Sequence, residues 1–196
     1  GNTHPVALIG ASSALTCVAG IILLLATDKA VRKVRTTWAA YGVHLGLALM
    51  VLGVAYSGPY QVEYEHTLVQ GESFSFRDYE VTLDSTREEN TPAMFIWEAT
   101  LLVTKGGAPH GQLTPQFRRY ASSDQTFSEV SVIPSLGDEV YATLMAIDGE
   151  NVTVEVSIHP LINWMWIGGT LMCLFPFLGL RFGRKAPSAA NLREND

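Results

Sequence analysis

Three stretches of this chain contain no Lys, Arg, Asp or Glu: Pro5 to Ala26, Trp38 to Ser57 and Leu161 to Leu180. At a rise of about 1.5 Å per residue each is roughly 30 Å long, the thickness of the hydrocarbon core of a bilayer. A buried helix of a water-soluble domain seldom avoids charge for so long, so we read all three as transmembrane helices. The first is too long and too broken by glycine for a secretory signal, and no small-residue cleavage pattern follows it. Pro176 falls late in the third, where a kink is tolerable if neighbouring helices cover the freed carbonyl.

The charge between these stretches is unevenly shared. The chain has 196 residues and a net charge of -6, from 13 Lys+Arg against 19 Asp+Glu. The connector Thr27 to Thr37 nets +3 and the segment after Leu180 nets +2, while Gly58 to Pro160 nets -11. Short loops rich in Lys and Arg stay on the cytoplasmic side. The sequence therefore divides into two transmembrane helices in residues 1–57 (about 5–26 and 38–57) joined by a basic cytoplasmic loop, an external domain over 58–160, a third helix over 161–182 and a cytoplasmic tail over 183–196. Trp38 and Tyr41 would mark the inner interface, and Tyr56, Tyr60, Trp164 and Trp166 the outer one. The first residue is Gly1 and a span begins within five residues, which leads us to expect more protein upstream and further helices to complete a thin bundle.

Composition excludes several classes. Hydrophobic residues make up 47%, too many for a disordered chain. There is no basic surplus to neutralise phosphates, so no nucleic acid is expected as a partner. Two cysteines cannot staple a disulfide scaffold of this size.

Within the external segment the pattern changes to two-residue alternation. We expect strands at Gln61–Leu68, Ser73–Asp84, Phe95–Thr104, Gly111–Tyr120, Phe127–Ile133, Val140–Ala146 and Val152–Ile158. Turn chemistry at Gln70-Gly71, Lys105-Gly106-Gly107, Leu136-Gly137-Asp138 and Asp148-Gly149 separates several of them. The fold class expected is a membrane α-helical protein of three transmembrane helices, with an inserted all-β external domain that forms a small antiparallel sandwich or barrel.

His44 is the most informative candidate for chemistry. It lies about six residues, roughly 9 Å, inside the second span. Ionisable groups at that depth are costly and usually face a partner, a cavity or a cofactor. Gly42 and Gly46 flank it as a small-xxx-small pair that permits close helix approach. Ala40, Tyr41, Ala48 and Val51 share its face, which suits a flat macrocycle with the imidazole as an axial ligand. A histidine hydrogen-bonded to a neighbouring helix is the competing reading, and position alone leaves both open. His4 and His159 sit at the outer interface, each beside a proline; His66 and His110 fall near strand ends and read as solvated. Cys17 and Cys173, each about twelve residues into a span, read as buried apolar filler. The pairs Glu63/Glu65 and Glu88/Glu89 read as solvated acids. No CxxC, CxxCH, nucleophile elbow, phosphate loop or zinc spacing occurs.

Several segments in order resemble the carboxy-terminal part of the CcmF family, the membrane haem-lyase subunits of bacterial System I cytochrome c maturation. They are Tyr41-Gly-Val-His44-Leu-Gly46-Leu-Ala-Leu-Met50-Val-Leu-Gly53, Gly71-Glu72, Gly111-Gln-Leu-Thr-Pro115-Gln-Phe-Arg118-Arg119-Tyr120, Phe127 to Ile133, Asp138 to Leu144, and His159-Pro160-Leu-Ile-Asn-Trp164-Met-Trp166-Ile-Gly168-Gly169-Thr-Leu-Met172. The resemblance implies a bacterial inner-membrane protein with its β-domain in the periplasm. It also implies a haem b held by two transmembrane histidines, His44 as the iron ligand from this chain and its fellow on a helix outside it. The implied partners are the remaining haem-lyase helices or subunits, a haem chaperone, and apocytochrome c with its thiol-handling subunit. A haem lyase (cytochrome c synthetase) complex would need more than this chain, because the family's tryptophan-rich external motif and external histidine pair are absent from it. Pro92-Ala-Met-Phe95-Ile-Trp97 departs from the family's glycine- and tyrosine-containing segment. Two other readings stay open: a membrane-anchored scaffold or assembly subunit without haem, and a binding module whose β-domain captures a partner.

Overall fold

The computed structural model describes residues 4–122 and 125–180, so the expected tail over 183–196 lies outside the described residues. Among the described residues three helices are long and apolar enough to cross a membrane: α1 (Pro5–Thr27), α2 (Arg35–Tyr60) and α3 (Ile162–Gly179). Between α1 and α2 the basic connector has a turn at residues 29–30 and one 3-10 segment at Val31–Lys33, and Asp28 holds it by accepting from the backbone N–H groups of Ala30 and Val31. Helix α2 is the centre of the bundle and packs against both α1 and α3.

Glycine makes the α2–α3 contact possible. A Cβ on Gly46 would sit 2.6 Å from the Gly168 carbonyl oxygen and 2.8 Å from Met172 Cγ. A Cβ on Gly42 would overlap the Phe175 ring, and one on Gly53 would sit 2.7 Å from the Met165 amide nitrogen. In lipid, where apolar burial gives no net drive, such backbone approach supplies the van der Waals contact that holds helices together. Helix α1 meets α2 through Gly10 against Val51 and Ala55.

Between α2 and α3 the described residues form ten antiparallel strands in two sheets. One has the order β1 (Val62–Leu68), β10 (Asn151–Pro160), β9 (Asp138–Asp148), β8 (Ser131–Ile133). The other has the order β2 (Ser73–Phe76), β3 (Tyr79–Asn90), β4 (Met94–Lys105), β6 (Gln116–Tyr120), β7 (Thr126–Glu129), with β5 (Ala108–Leu113) also on β4. Alternate residues of both sheets meet in a dry core that includes Tyr79, Leu83, Leu101, Leu113, Leu144, Val154 and Ile158. The domain is a sandwich.

Seven expected strands became ten, each split for a physical reason. The run Ser73–Asp84 keeps its alternation through a two-residue turn at Arg77-Asp78, where Arg77 takes φ 52° without the glycine that usually marks such a turn. Pro115 interrupts Gly111–Tyr120, and the two halves lie end to end along β4. At Val130 the chain leaves one sheet for the other, so β7 pairs with β6 and β8 with β9. Three residues, Asp84, His110 and Met145, are unpaired extras in their strands, and such bulges turn the chain without altering its composition.

The domain is rooted on the helices at both ends. Helix α2 runs into β1 with only Gln61 between them. At the other end Leu161, at φ 57°, donates its N–H to the Gly137 carbonyl at 2.7 Å. Asn163 and Trp164 donate to the carbonyls of Ser135 and Leu136.

Replacing Gly46 by leucine should therefore destabilise the bundle by about 1–3 kcal/mol through overpacking. Gly20→Leu is the control, because nothing lies within 4 Å of a Cβ at Gly20. Thermal unfolding of the detergent-purified chain checks the pair: a lower midpoint for Gly46→Leu and none for Gly20→Leu.

Candidate functional site

His44 stands on α2 with its side chain exposed. Its Nδ1 lies 2.8 Å from the Ala40 carbonyl oxygen one turn earlier. A carbonyl can only accept, so Nδ1 carries the hydrogen, and in the neutral form of the ring the lone pair lies at Nε2. Among the described residues Nε2 has no hydrogen-bond partner, and no side chain from another helix bonds the ring. The competing expectation, a histidine tied to a neighbouring helix, is not what these residues form. A backbone carbonyl orienting the imidazole through Nδ1–H is the usual support for a histidine that binds metal through its other nitrogen.

The small residues around His44 serve helix contacts, as the Gly42/Gly46 spacing leads one to expect. Gly42 and Gly46 face α3 and are filled by Phe175 and Met172. Ala48 and Ala55 are buried, with Ala55 lying against α1. His44 is left beside α1, where Cys17 Sγ lies 3.7 Å from the His44 carbonyl oxygen. Cys173, expected as buried filler, is exposed on α3. No group of three or more His, Cys, Asp or Glu side chains that could hold a metal ion occurs among the described residues.

A second polar cluster sits at the base of the β-domain on β9 and β10, and the sequence did not single it out. Glu139 is only 4% exposed, and Tyr141 donates its hydroxyl to Glu139 Oε2 at 2.6 Å. Burial, aided by that hydrogen bond, holds the Tyr141 hydroxyl well above its ordinary pKa. His159 packs edge-on against Tyr141 and shares a 3.2 Å hydrogen bond with Ser157. Burial lowers the His159 pKa, and the Glu63 and Glu139 carboxylates only partly offset it. The glutamate and tyrosine alternate along one face of β9, so only the helix tops packed nearby distinguish them from solvated strand residues.

The remaining histidines differ from one another. His66 is exposed and stacks on Phe74 at 4.7 Å. His110 is not solvated as expected: as a bulge residue it turns toward Tyr79, and its Nε2 is buried without a partner among the described residues. Lys105 bonds the Tyr79 hydroxyl at 2.7 Å and reaches Asp78 and Asp138, which joins the two sheets near the helices. Glu63, Glu65 and Glu88 are exposed as expected, and Glu89 is partly covered and pairs with Arg87.

Residues 59–160 match the family model described as the CcmF C-terminal beta-sandwich. The chain belongs to the CcmF family. It is 28% identical over 170 residues to the cytochrome c-type biogenesis protein CcmF of Escherichia coli, covering 82% of this chain and 26% of that protein. It is 30% identical over 146 residues to the CcmF of Haemophilus influenzae, covering 74% and 22%. A solved structure titled Cytochrome c Heme Lyase CcmF superposes with a TM-score of 0.73 at 26% identity, covering 87% of this chain and 30% of that one. The chain thus spans about a quarter of the length of these CcmF relatives.

The basal cluster yields two predictions. Tyr141→Phe leaves the buried Glu139 carboxyl without its donor and should cost about 1–3 kcal/mol, read by chemical denaturation of the full chain in detergent. For His159 the folded pKa lies below the ordinary 6.5. The unfolded chain therefore takes the proton more readily. This contribution to stability is complete above about pH 6.5 and declines as pH falls through 6.5 toward the lowered folded value. His159→Gln should flatten the fall in unfolding midpoint over that window, and an unchanged pH profile would refute the assignment.

Proposed function

We propose that this chain is the carboxy-terminal part of a cytochrome c haem lyase in a bacterial inner membrane, and that His44 supplies one axial ligand to an intramembrane haem b. The observation that carries this reading is the His44 ring, fixed by its Nδ1–H bond to the Ala40 carbonyl with Nε2 open and exposed on a helix long enough to cross the bilayer. The names of the relatives point to the same chemistry, and the sequence around His44 resembles the family's histidine-bearing span. When bound, haem b carries electrons, and in this reading they keep incoming haem reduced while it is joined to the CxxCH thiols of apocytochrome c.

The chain's own contribution is positional. The Ala40 carbonyl keeps His44 in the tautomer that offers Nε2. The tight α2–α3 contact holds the helix that carries it. The second axial histidine comes from a helix outside this chain, which the exposed flank of His44 is free to receive. The +3 connector faces the cytoplasm, and the -11 segment, residues 58–160, stands in the periplasm above the outer leaflet. There it meets the haem chaperone, apocytochrome c or its thiol-handling subunit.

Absorbance spectra of the detergent-purified full complex test the ligand. His44→Ala should remove or displace the dithionite-reduced α and Soret bands, and added imidazole should restore them in part. An unchanged spectrum in His44→Ala would rule the assignment out.

A further inference from the structure

We propose that the membrane-distal mouth of the sandwich is a docking cleft for an extended, basic segment of a partner protein, which adds as a strand to the free edge of β7. The far end of the domain follows from connectivity. Strand β1 leaves α2 at Val62 and ends at Leu68, which pairs with Val152 beside the Asp148–Asn151 hairpin. Lys105 joins Tyr79 to Asp138 at the near end, so β3 rises toward Asn90 and β4 descends from Met94.

The two sheets do not end together. Along β4 the inward residues Val103, Leu101 and Ala99 are buried in the core, but the next two, Trp97 and Phe95, are only half-buried. Strands β9 and β10 have by then turned back at Asp148 and Gly149. This leaves a cleft of about 450 Å³ lined by Glu88, Trp97, Phe117, Thr126, Ile147 and Gly149. Its aromatic floor is held in place before any ligand arrives. Trp97 Nε1 donates to Glu88 at 3.1 Å, and the Arg119 guanidinium lies 5.8 Å and 6.0 Å from the Trp97 and Phe95 rings.

Two backbone edges open beside the cleft. Strand β7 pairs with β6 alone, and all four of its residues are exposed. Strand β9 loses its outer backbone partner above Ala142, where β8 has ended; the Ser128 hydroxyl of β7 donates to its Leu144 carbonyl at 3.2 Å, and its bulged Met145 is 45% exposed. Proteins usually blunt such edges with lysine or proline, and β7, Thr126-Phe-Ser-Glu129, has neither. An extended segment there gains ladder hydrogen bonds and drops alternate side chains onto Trp97, Phe117 and Ile147.

Charge selects the occupant. Glu88 stands in the cleft, Asp148 and Glu150 are exposed on the adjoining hairpin, and the whole segment 58–160 nets -11. A segment alternating Lys or Arg with apolar residues is attracted, whereas a second copy of this acidic domain is repelled.

The test is fluorescence anisotropy with the full chain in zwitterionic detergent. The probes are three short fluorescein-labelled peptides: one alternating Lys/Arg with Val, the same with Asp/Glu in place of the cations, and the basic one N-methylated on alternate amides. The basic peptide should bind, the acidic one should not, and N-methylation should weaken binding by about tenfold or more. Thr126→Arg and Glu88→Lys, both at exposed positions, should each weaken it by about tenfold while the thermal midpoint stays unchanged. Both variants should keep the reduced haem spectrum of the full complex, so failure here is separable from failure of the His44 assignment. No binding to the wild-type chain, equal binding by the two variants, equal binding of the N-methylated peptide, or pairing of two copies through β7 would each overturn the proposal.

Discussion

The close approach of α2 and α3 through Gly42, Gly46, Gly53 and Gly168 is the contact on which the rest of the molecule depends. Helix α2 continues into β1 and β10 leads into α3, and these two strands pair with each other from Val62↔Ile158 upward. The helix pair and the strand pair are therefore one continuous structure. If the helices separated by the width of a side chain, the first rungs of that ladder would open with them. Large residues at the glycine positions would hold the helices apart, and in a bilayer it is the close van der Waals contact permitted by small residues that adds attraction.

That contact also settles what surrounds His44. The small residues that flank it in sequence are taken up by α3, the close helix approach that their spacing permits. His44 is left on an open flank with Nδ1 held by its own helix. Helix α1 covers only part of α2 and leaves Val54 and Leu47 exposed, an arrangement that suits a bundle with further helices against it. The base of the sandwich follows the same logic. Where the sheet meets the helix tops, Glu139 and Ser157 become buried and must find partners, whereas acids on the same strands farther out, such as Glu155 and Asp148, face away from the core.

Much of this was legible because it depends on long runs. Three charge-free stretches define three spanning helices, and alternation with Gly-containing turns defines a β-domain between them. The depth of His44 in its span marked it as costly enough to need a purpose. The splits were invisible where nothing local changed. Arg77 occupies a left-handed turn that usually takes glycine, and Val130 crosses between sheets without breaking the alternation. His110 read as solvated because a bulge reverses which way a strand residue points, and no composition signals a bulge. Cys173 read as filler because helix identity alone does not say which side of a helix meets a neighbour.

By itself, the sequence determined which segments are apolar enough to leave water, where charge gathers, and which histidine is carried deep into a helix. Those are properties of residue type and spacing, and solvation energy acts on them before any tertiary contact forms. The fold alone decided which face of α2 the glycines serve, that Nδ1 rather than Nε2 of His44 is occupied, and that Glu139 is buried with Tyr141. It also decided that one sheet outruns the other to leave Trp97 and Phe117 half-covered. Each of these turns on which surfaces meet. Segments far apart in sequence set that meeting through packing, and no local pattern encodes it.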